Sequence, residues 1–311
     1  MNKTFKFEKY ENSINSVITI GTFDGVHVGH QKIIKRLVKT AKKENLKAVV
    51  LTFFPHPRMV LQKDANIKLI NTIEEKAELF NKFGIDNLVV KKFTKAFSRL
   101  SAEDFAKQVL VDKLNAKKVI IGYDHHFGRN RRANIDDLRR FGETYGFEVE
   151  EISMQDINDV AISSTKIRNA LAEGDIIKAN TFLGYDFMIS GTIVRGKGLG
   201  KQMDFPTANL QIEESYKLIP KYGVYIVNAN INGQVVFGMM NIGTNPTVNG
   251  NDESIETHFF NFDQDIYNQK IRINVLQRIR DEQRFESVEA LKTQIHRDKK
   301  TALNYIASYH A

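Results

Sequence analysis

The sequence predicts an α/β domain built on a parallel, doubly wound sheet, followed by a small antiparallel β-barrel domain with a C-terminal helix. Three observations point there. Apolar strand-like runs alternate with helical patterns over the first half, glycine-punctuated β-type runs take over from about residue 184, and helical spacing of apolar residues returns beyond 285.

Taken in order, the candidate strands of the first half are 17–20, 47–53, 87–91, 117–122 and 147–152. Between them, residues 30–43 carry Ile33, Ile34, Leu37, Val38 and Ala41 along one stripe, as a helix packed on a sheet requires. Thr72-Ile73-Glu74-Glu75 is a capping box, and Ser101 with Asp104 starts a further helix that turns Phe105, Val109 and Leu110 inward. Strands separated by helices pair in parallel, and ligands collect outside their carboxyl ends. A helical stretch, Ser164–Phe182, precedes the change of texture, so the expected domains are 1–183 and 184–311. In the second, Gly191, Gly196, Gly198, Gly200, Gly223, Gly233, Gly238 and Gly243 punctuate runs such as Gly223-Val224-Tyr225-Ile226-Val227, a barrel-like texture. Phe285, Val288, Leu291 and Ile295, then Leu303 and Ile306, mark the face the last helix is expected to bury.

Composition bounds the function. With 311 residues the chain exceeds one typical core, and 42% hydrophobic with 26% charged residues reads as globular. No apolar run of about eighteen residues occurs, and Met1–Glu8 lacks the apolar core of a secretion signal, so neither membrane insertion nor export is expected. The absence of cysteine excludes disulfides, thiolate catalysis and cysteine-based zinc sites, and the expected location is cytoplasmic. A formal net charge of +8 implies anionic partners. The cluster Arg129, Arg131, Arg132, Arg139, Arg140 keeps nucleic acid in view, yet no aromatic residues interleave it. Phosphorylated small molecules are therefore the expected partners, and self-association is not readable.

The densest chemistry lies in Gly21-Thr22-Phe23-Asp24-Gly25-Val26-His27-Val28-Gly29-His30, directly after the strand 17–20. His27 and His30 stand at (i, i+3) on a helix's opening turn and share a face. Gly29 lets a ligand approach the backbone, and the helix's unpaired N–H groups favour anions, a combination suited to a triphosphate. A histidine pair on a surface helix, or a zinc site completed by Asp24 or His56, are the other readings of these residues. Gly191-Thr192-Ile193-Val194-Arg195-Gly196-Lys197-Gly198 nearly matches a P-loop but lacks the final hydroxyl residue, and Gly198, Gly200 and Pro206 forbid the helix that must follow.

These motifs occur in one order with Phe53-Phe54-Pro55-His56-Pro57, Gly122-Tyr123-Asp124-His125-His126-Phe127-Gly128 and Ile162-Ser163-Ser164-Thr165-Lys166-Ile167-Arg168. Phe205-Pro206-Thr207-Ala208-Asn209, Asn241–Thr247, Glu256-Thr257-His258 and Arg280-Asp281-Glu282 follow. Over nearly its whole length the chain resembles the prokaryotic bifunctional riboflavin kinase/FMN adenylyltransferases, the FAD synthetases. The resemblance implies a nucleotidyltransferase-type (Rossmann-like) domain and a riboflavin kinase barrel. It further implies two magnesium-dependent reactions: ATP phosphorylates riboflavin to FMN, and a second ATP adenylylates FMN to FAD with release of pyrophosphate.

The two reactions need different help. The FMN phosphate arrives already ionised, its second pKa being about 6, so adenylyl transfer needs positive groups around the α-phosphorus and the departing pyrophosphate and no general base. The resemblance assigns that task to His27 and His30, with Gly21, Phe23, Asp24 and Gly29, and to a second clamp of Ser164, Thr165 and Arg168; helix capping is the plainer reading of Ser164 and Thr165. Phe54, His56, Pro57 and Asp124 are its flavin contacts. Riboflavin presents an alcohol that must lose a proton, which calls for a carboxylate base; the family's counterpart is Glu256. Thr207 is the implied magnesium ligand, with Asn209, Gly196, Lys197, Gly198 and Arg280 toward ATP and flavin. Met203-Asp204, Tyr267-Asn268, Lys166 and His125-His126 depart from the family pattern; an asparagine at 268 is still able to adopt a left-handed turn. The competing readings are an adenylyltransferase for another phosphorylated substrate with a passive β domain, and a flavin-responsive nucleic-acid-binding regulator.

Overall fold

The computed structural model describes residues 3–11, 14–62, 66–122, 126–129, 132–153, 162–196, 200, 205–247 and 250–309. Asp124, His125, Lys197, Gly198, Met203 and Asp204 lie outside the described residues. The chain divides into two compact units, Met1–Ser164 and Thr165–Ala311.

The first unit runs β1 (Lys3–Lys6), β2 (Ser16–Ile20), α1 (Val28–Glu44), β3 (Lys47–Phe54), α2 (Pro57–Leu61), α3 (Ile73–Lys82), β4 (Asn87–Lys92), α4 (Ala102–Asp104), β5 (Ala116–Gly122), α5 (Ile135–Tyr145) and β6 (Glu148–Ile152). The six strands form one sheet in the order β1-β4-β3-β2-β5-β6, every pair parallel. From β2 the chain winds outward through β3 and β4, then returns to the other side of β2 with β5. The switch point therefore lies at the carboxyl ends of β2 and β5, where such sheets bind ligands. Strands covered on both faces are apolar throughout: Val17, Ile18, Val49, Leu51 and Val119 are fully buried. The expected strands are all present within a residue or so of their bounds. Edge strand β1 was not foreseen; its Phe5 packs edge-on against Tyr10 at 5.1 Å.

The capping box at Thr72 forms as expected, its hydroxyl accepting from the Glu75 N–H at 3.1 Å while the Thr72 N–H donates to the Glu75 carboxylate at 3.0 Å. The helix opened by Ser101 differs from expectation. After α4 it widens into a π-helix, Phe105–Lys113. Phe105, Val109 and Leu110 are buried as expected, and the wider turn seats Phe105 between Phe97 and Phe127.

The second unit carries α6 (Ser164–Glu173, its first residue closing the first unit), α7 (Ile176–Leu183), β7 (Phe187–Val194), β8 (Ala208–Gln211), β9 (Gly223–Ile231), β10 (Gln234–Thr247), β11 (Gly250–Phe259), β12 (Lys270–Arg280) and α8 (Val288–Tyr309). Its strands close into a barrel in the order β10-β11-β8-β7-β12-β9, all antiparallel. Asn180 ties α7 to the barrel, accepting from the Phe187 N–H at 2.7 Å and donating to the Val275 carbonyl at 2.9 Å. Along β11, Ile255, Thr257 and Phe259 are buried, which puts Glu256 and His258 on the opposite face.

Helix α8 packs Ile295, Ala302, Tyr305 and Ile306 against Ile226, Met239, Phe260 and Leu276. Two residues of the expected stripe are corrected: Val288 is 56% and Leu303 45% exposed. From Ile295 the buried face advances by seven residues to Ala302, and one residue further turns Leu303 about 100° away. The same helix brings Asp298, 3% exposed, onto Arg280 at the end of β12. Arg280 Nε donates to both carboxylate oxygens at 3.1 and 2.9 Å, and Nη2 lies 2.8 Å from Oδ2. Removing one partner strands a half-buried charge, so Asp298→Ala is expected to destabilise the barrel unit by about 3 kcal/mol. Urea unfolding of the full chain followed by circular dichroism checks this; a loss below about 1 kcal/mol would make the pair ornamental.

Candidate active sites

The turn between β2 and α1 is strained and pinned. Phe23, Gly25 and Val26 have φ of 46°, 85° and 36°. For phenylalanine, and more so for β-branched valine, this conformation costs about 1–3 kcal/mol and persists only where neighbours dictate it. Those neighbours are identifiable. Lys76 Nζ donates to the Thr22 carbonyl at 2.8 Å, Gln31 Nε2 to the Val26 carbonyl at 3.0 Å, and Ser164 Oγ to the Asp24 carbonyl at 2.9 Å. The Asp24 carboxylate, 1% exposed, accepts from the Ile70 N–H at 3.0 Å. Asp24 thus shapes the turn from behind.

This turn delivers His27 as the N-cap of α1, with His30 one turn on. The two imidazoles stack, 3.6 Å between centroids and 19° between planes, and Phe23 meets His30 edge-on at 5.2 Å. Both Nδ1 atoms are buried without a hydrogen-bond partner among the described residues. Burial lowers the His27 pKa from 6.5 to about 4 against the raising pull of Asp24. Burial, then the charges of His27 and Lys76, hold His30 well below 6.5. Near neutral pH both rings are therefore uncharged, so what they offer an anion is a neutral N–H and not the positive group expected from the sequence. No acidic residue occupies the first turn of α1, so its positive dipole end is left for a ligand. The arrangement fits a phosphate oxygen acceptor.

The remaining sequence-predicted residues of this half divide. Gly21 donates its N–H to the Leu51 carbonyl at 3.1 Å, and Gly29 is buried in the first turn of α1. Phe54 ends β3, and Pro57 opens α2, which His56 caps by accepting the Arg58 N–H on Nδ1 at 3.2 Å. Among the described residues no three His, Asp or Glu side chains are grouped to hold a metal, so the zinc reading finds no support there. Thr165 and Arg168 lie three apart on the first turns of α6 and share one face. Arg139 pairs with Asp136 and Glu151, and Arg140 with Asp137, so those arginines do not present a bare cationic patch.

In the barrel, three oxygen-bearing side chains converge. Glu256 and Asn209 are register partners across β11 and β8, so they share a face, and Thr207 lies two residues before Asn209. The Thr207 hydroxyl donates to Glu256 Oε2 at 3.1 Å. The chain leaving β7 crosses directly over them. A Cβ on Gly196 would fall 2.2 Å from Asn209 Nδ2, and one on Gly200 2.3 Å from the Phe205 carbonyl oxygen. At Gly200 the neighbour is main chain, so only glycine permits that approach, whereas at Gly196 it is the end of the Asn209 side chain. Thr207, Asn209 and Glu256 supply hard oxygen donors of the kind magnesium takes alongside phosphate. A hydroxyl that donates its proton to Glu256 keeps its lone pairs, so the donor set fits the ion.

Thr207 also lines a cavity of about 300 Å³, walled by Ile193, Thr257, Phe259, Ile266 and Tyr267 among others. Thr257 and Lys76 escaped sequence reasoning. Thr257 Oγ1 is buried without a partner among the described residues; strand alternation beside Glu256 was its only signal. Lys76, 1% exposed, reads in sequence as an ordinary helix lysine. Arg280 is held by Asp298 and also donates to the Asp281 carbonyl at 3.0 Å, while Glu282 accepts from the Thr244 N–H at 3.3 Å. Both order the segment between β12 and α8. His258 is held below its usual pKa by burial, so its ring is neutral near pH 7. Asn268 has φ of 61°, the left-handed turn open to an asparagine.

Comparison with known proteins assigns each site to a family. Residues 9–166 match the family model described as FAD synthetase, and residues 183–306 that of riboflavin kinase. The bifunctional riboflavin kinase/FMN adenylyltransferase of Listeria monocytogenes is 38% identical over 94% of this chain and 93% of its own length. The Bacillus subtilis protein of that name is 37% identical over 96% and 95%, and the Escherichia coli K12 protein 35% over 93% and 92%. A solved structure titled a macrolide-efflux protein from Streptococcus pneumoniae superposes with a TM-score of 0.86 at 30% identity, covering 97% of this chain and 99% of that one. With both modules matched in order along one chain, the protein belongs to the bifunctional riboflavin kinase/FMN adenylyltransferase family.

Proposed function

We propose that this enzyme, a riboflavin kinase and FMN adenylyltransferase, divides its chemistry between the two sites above, with the functional boundary at 183/184. The Thr207–Glu256 contact at 3.1 Å beside Asn209 carries this assignment. It supports reading Glu256 as a base beside the hydroxyl proposed as a magnesium ligand, while His27 and His30 of the other half are read as phosphate donors.

In the barrel, Glu256 takes the proton of the riboflavin hydroxyl as that oxygen attacks the γ-phosphorus of ATP and ADP leaves. Thr207 and Asn209 would hold magnesium, which neutralises phosphate charge when bound. Gly196, Lys197 and Gly198 cover the phosphates, and the cavity beside Thr207 receives the nucleotide base. Arg280 orders the closing segment through its bond to Asp281. In the α/β unit, an oxygen of the FMN phosphate attacks the α-phosphorus of a second ATP, and pyrophosphate departs. His27 and His30 donate to the phosphate oxygens, with Gly21, Phe23, Asp24 and Gly29 shaping that cradle. Ser164, Thr165 and Arg168 form the second clamp, and Phe54, His56, Pro57 and Asp124 the flavin contacts.

The partners are small phosphorylated molecules. Among the described residues no helix is long and apolar enough to cross a membrane, and a cysteine-free, ATP-using enzyme suits the cytoplasm. A passive β domain is disfavoured because binding alone needs no carboxylate facing a hydroxyl ligand.

Separability is the direct test. Glu256→Gln is expected to cut FMN formation from riboflavin by about 10²–10⁴-fold and to leave FAD formation from supplied FMN within about twofold. His27→Ala is expected to lower FAD formation by about 10²–10³-fold and spare riboflavin phosphorylation. Chromatography of flavins from riboflavin, ATP and magnesium reads both; equal loss of both reactions in each variant would sink the two-site division.

The neutral imidazoles add a pH dependence. An unfolded His27 protonates near 6.5, whereas the folded one stays neutral down to about 4. Its contribution to stability is whole above about pH 6.5 and is lost as pH falls toward 4. Urea midpoints measured between pH 7 and 4.5 should therefore fall on acidification, and His27→Gln should flatten part of that slope. An unchanged slope would mean the ring is already charged in the folded enzyme.

A further inference from the structure

Two side chains on the outer face of β11 act on the segment that carries Thr207. Glu256 receives the Thr207 hydroxyl; the other is His258. The ladder between β8 and β11 consists of Asn209 opposite Glu256 and Ala208 opposite Thr257. Phe205–Thr207 lies outside the strand, and Pro206 has no N–H with which to extend pairing. One step beyond the last main-chain pair, His258 Nδ1 lies 2.9 Å from the Pro206 carbonyl oxygen. Because that partner is a carbonyl, Nδ1 carries the proton and donates. The ring is framed by Phe205 at 5.1 Å and Phe260 at 5.7 Å, both edge-on, and Lys299 of α8 stands over both phenylalanines at 5.7 and 5.8 Å.

Thr207 is thus suspended between two anchors, the ladder at Ala208 and the side-chain bond at Pro206. We propose that His258 is a positioning residue for the kinase reaction, its Nδ1–H holding the Pro206 carbonyl so that the Thr207 hydroxyl stays aimed at Glu256 and at the magnesium-bound nucleotide. The inference rests on the roles assigned above to Thr207 and Glu256. His258 does not meet the reacting atoms; it acts through the main chain of Pro206.

A donor role and a packing role make opposite demands on substitution. An asparagine amide nitrogen reproduces Nδ1 without the ring, a glutamine places its nitrogen near Nε2, and phenylalanine keeps the ring without a donor. With the full chain, His258→Phe and His258→Gln are expected to raise the KM for magnesium-ATP in riboflavin phosphorylation about tenfold, with a smaller change in kcat. His258→Asn should stay within about threefold of the parent. FAD formation from supplied FMN should not move in any of them, which confines the effect to the kinase reaction, and the urea midpoint of the barrel unit checks its folding. A tolerated phenylalanine with a damaged asparagine would overturn the proposal and leave the ring as packing. So would three variants that all match the parent. Glu256→Gln run in parallel separates the two failures. If it retains riboflavin phosphorylation, the site assignment falls; if it is inactive while the His258 variants are unchanged, only the positioning role falls.

Discussion

The kinase half depends on one register. Because side chains alternate along a strand, a one-residue slip between β8 and β11 would carry Glu256 into the barrel interior and turn Thr257 outward. The observed pairing of Glu256 with Asn209 keeps the carboxylate outside, where Thr207 meets it. Several otherwise separate features serve that register. Gly196 and Gly200 let the overlying chain come within contact of Asn209 and Phe205, Pro206 ends the ladder before Thr207, and His258 captures the carbonyl left over. Helix α8, locked to β12 by Asp298 and Arg280, backs the same face.

The α/β unit solves a different problem with strain. Two imidazoles can face a phosphate together only if the chain leaves β2 and enters α1 within a few residues, and that path forces positive φ on Phe23 and Val26. The cost is met by hydrogen bonds from Lys76, Gln31 and Ser164 to the carbonyls of the turn, and by Asp24 on the Ile70 N–H. Stacked at 3.6 Å, the rings cannot both be charged in so buried a place, and burial keeps them neutral. Neutral rings with unpartnered nitrogens are donors held in readiness for an oxygen acceptor.

Much of this was legible in the sequence, and the limits have physical causes. The alternation of apolar runs placed the first-half strands on both sides of the switch point, and glycine spacing announced the barrel, because both are local patterns. His27 and His30 stood out by their spacing on a helix's opening turn, whereas Thr207, Asn209 and Glu256 were marked only by the family resemblance, Glu256 by itself reading as a solvent-facing strand residue. What stayed hidden depended on distance through space. Lys76 is separated from Thr22 by 54 residues and Asp298 from Arg280 by 18, so nothing local marks either contact. Arg280 was marked in the sequence as a ligand candidate, and its pairing with Asp298 of α8 became visible only in the fold. Leu303 reads as core because its spacing is nearly helical, and the neighbouring Ala302 takes the buried place instead.

The two halves together show one economy in the handling of protons. An acceptor that arrives ionised needs hydrogen-bond donors and is best served by groups that neither hold nor release a proton near neutral pH, which burial achieves for His27 and His30. An acceptor that arrives as an alcohol needs a group that accepts a proton, and on the proposed division that group is Glu256, set against the Thr207 hydroxyl. Exchanging the two devices would defeat both reactions: a carboxylate beside the FMN phosphate would repel it, and buried neutral imidazoles of low pKa would take the riboflavin proton poorly. The proposed division of labour keeps the two devices in separate compact units, each beside the kind of acceptor it suits.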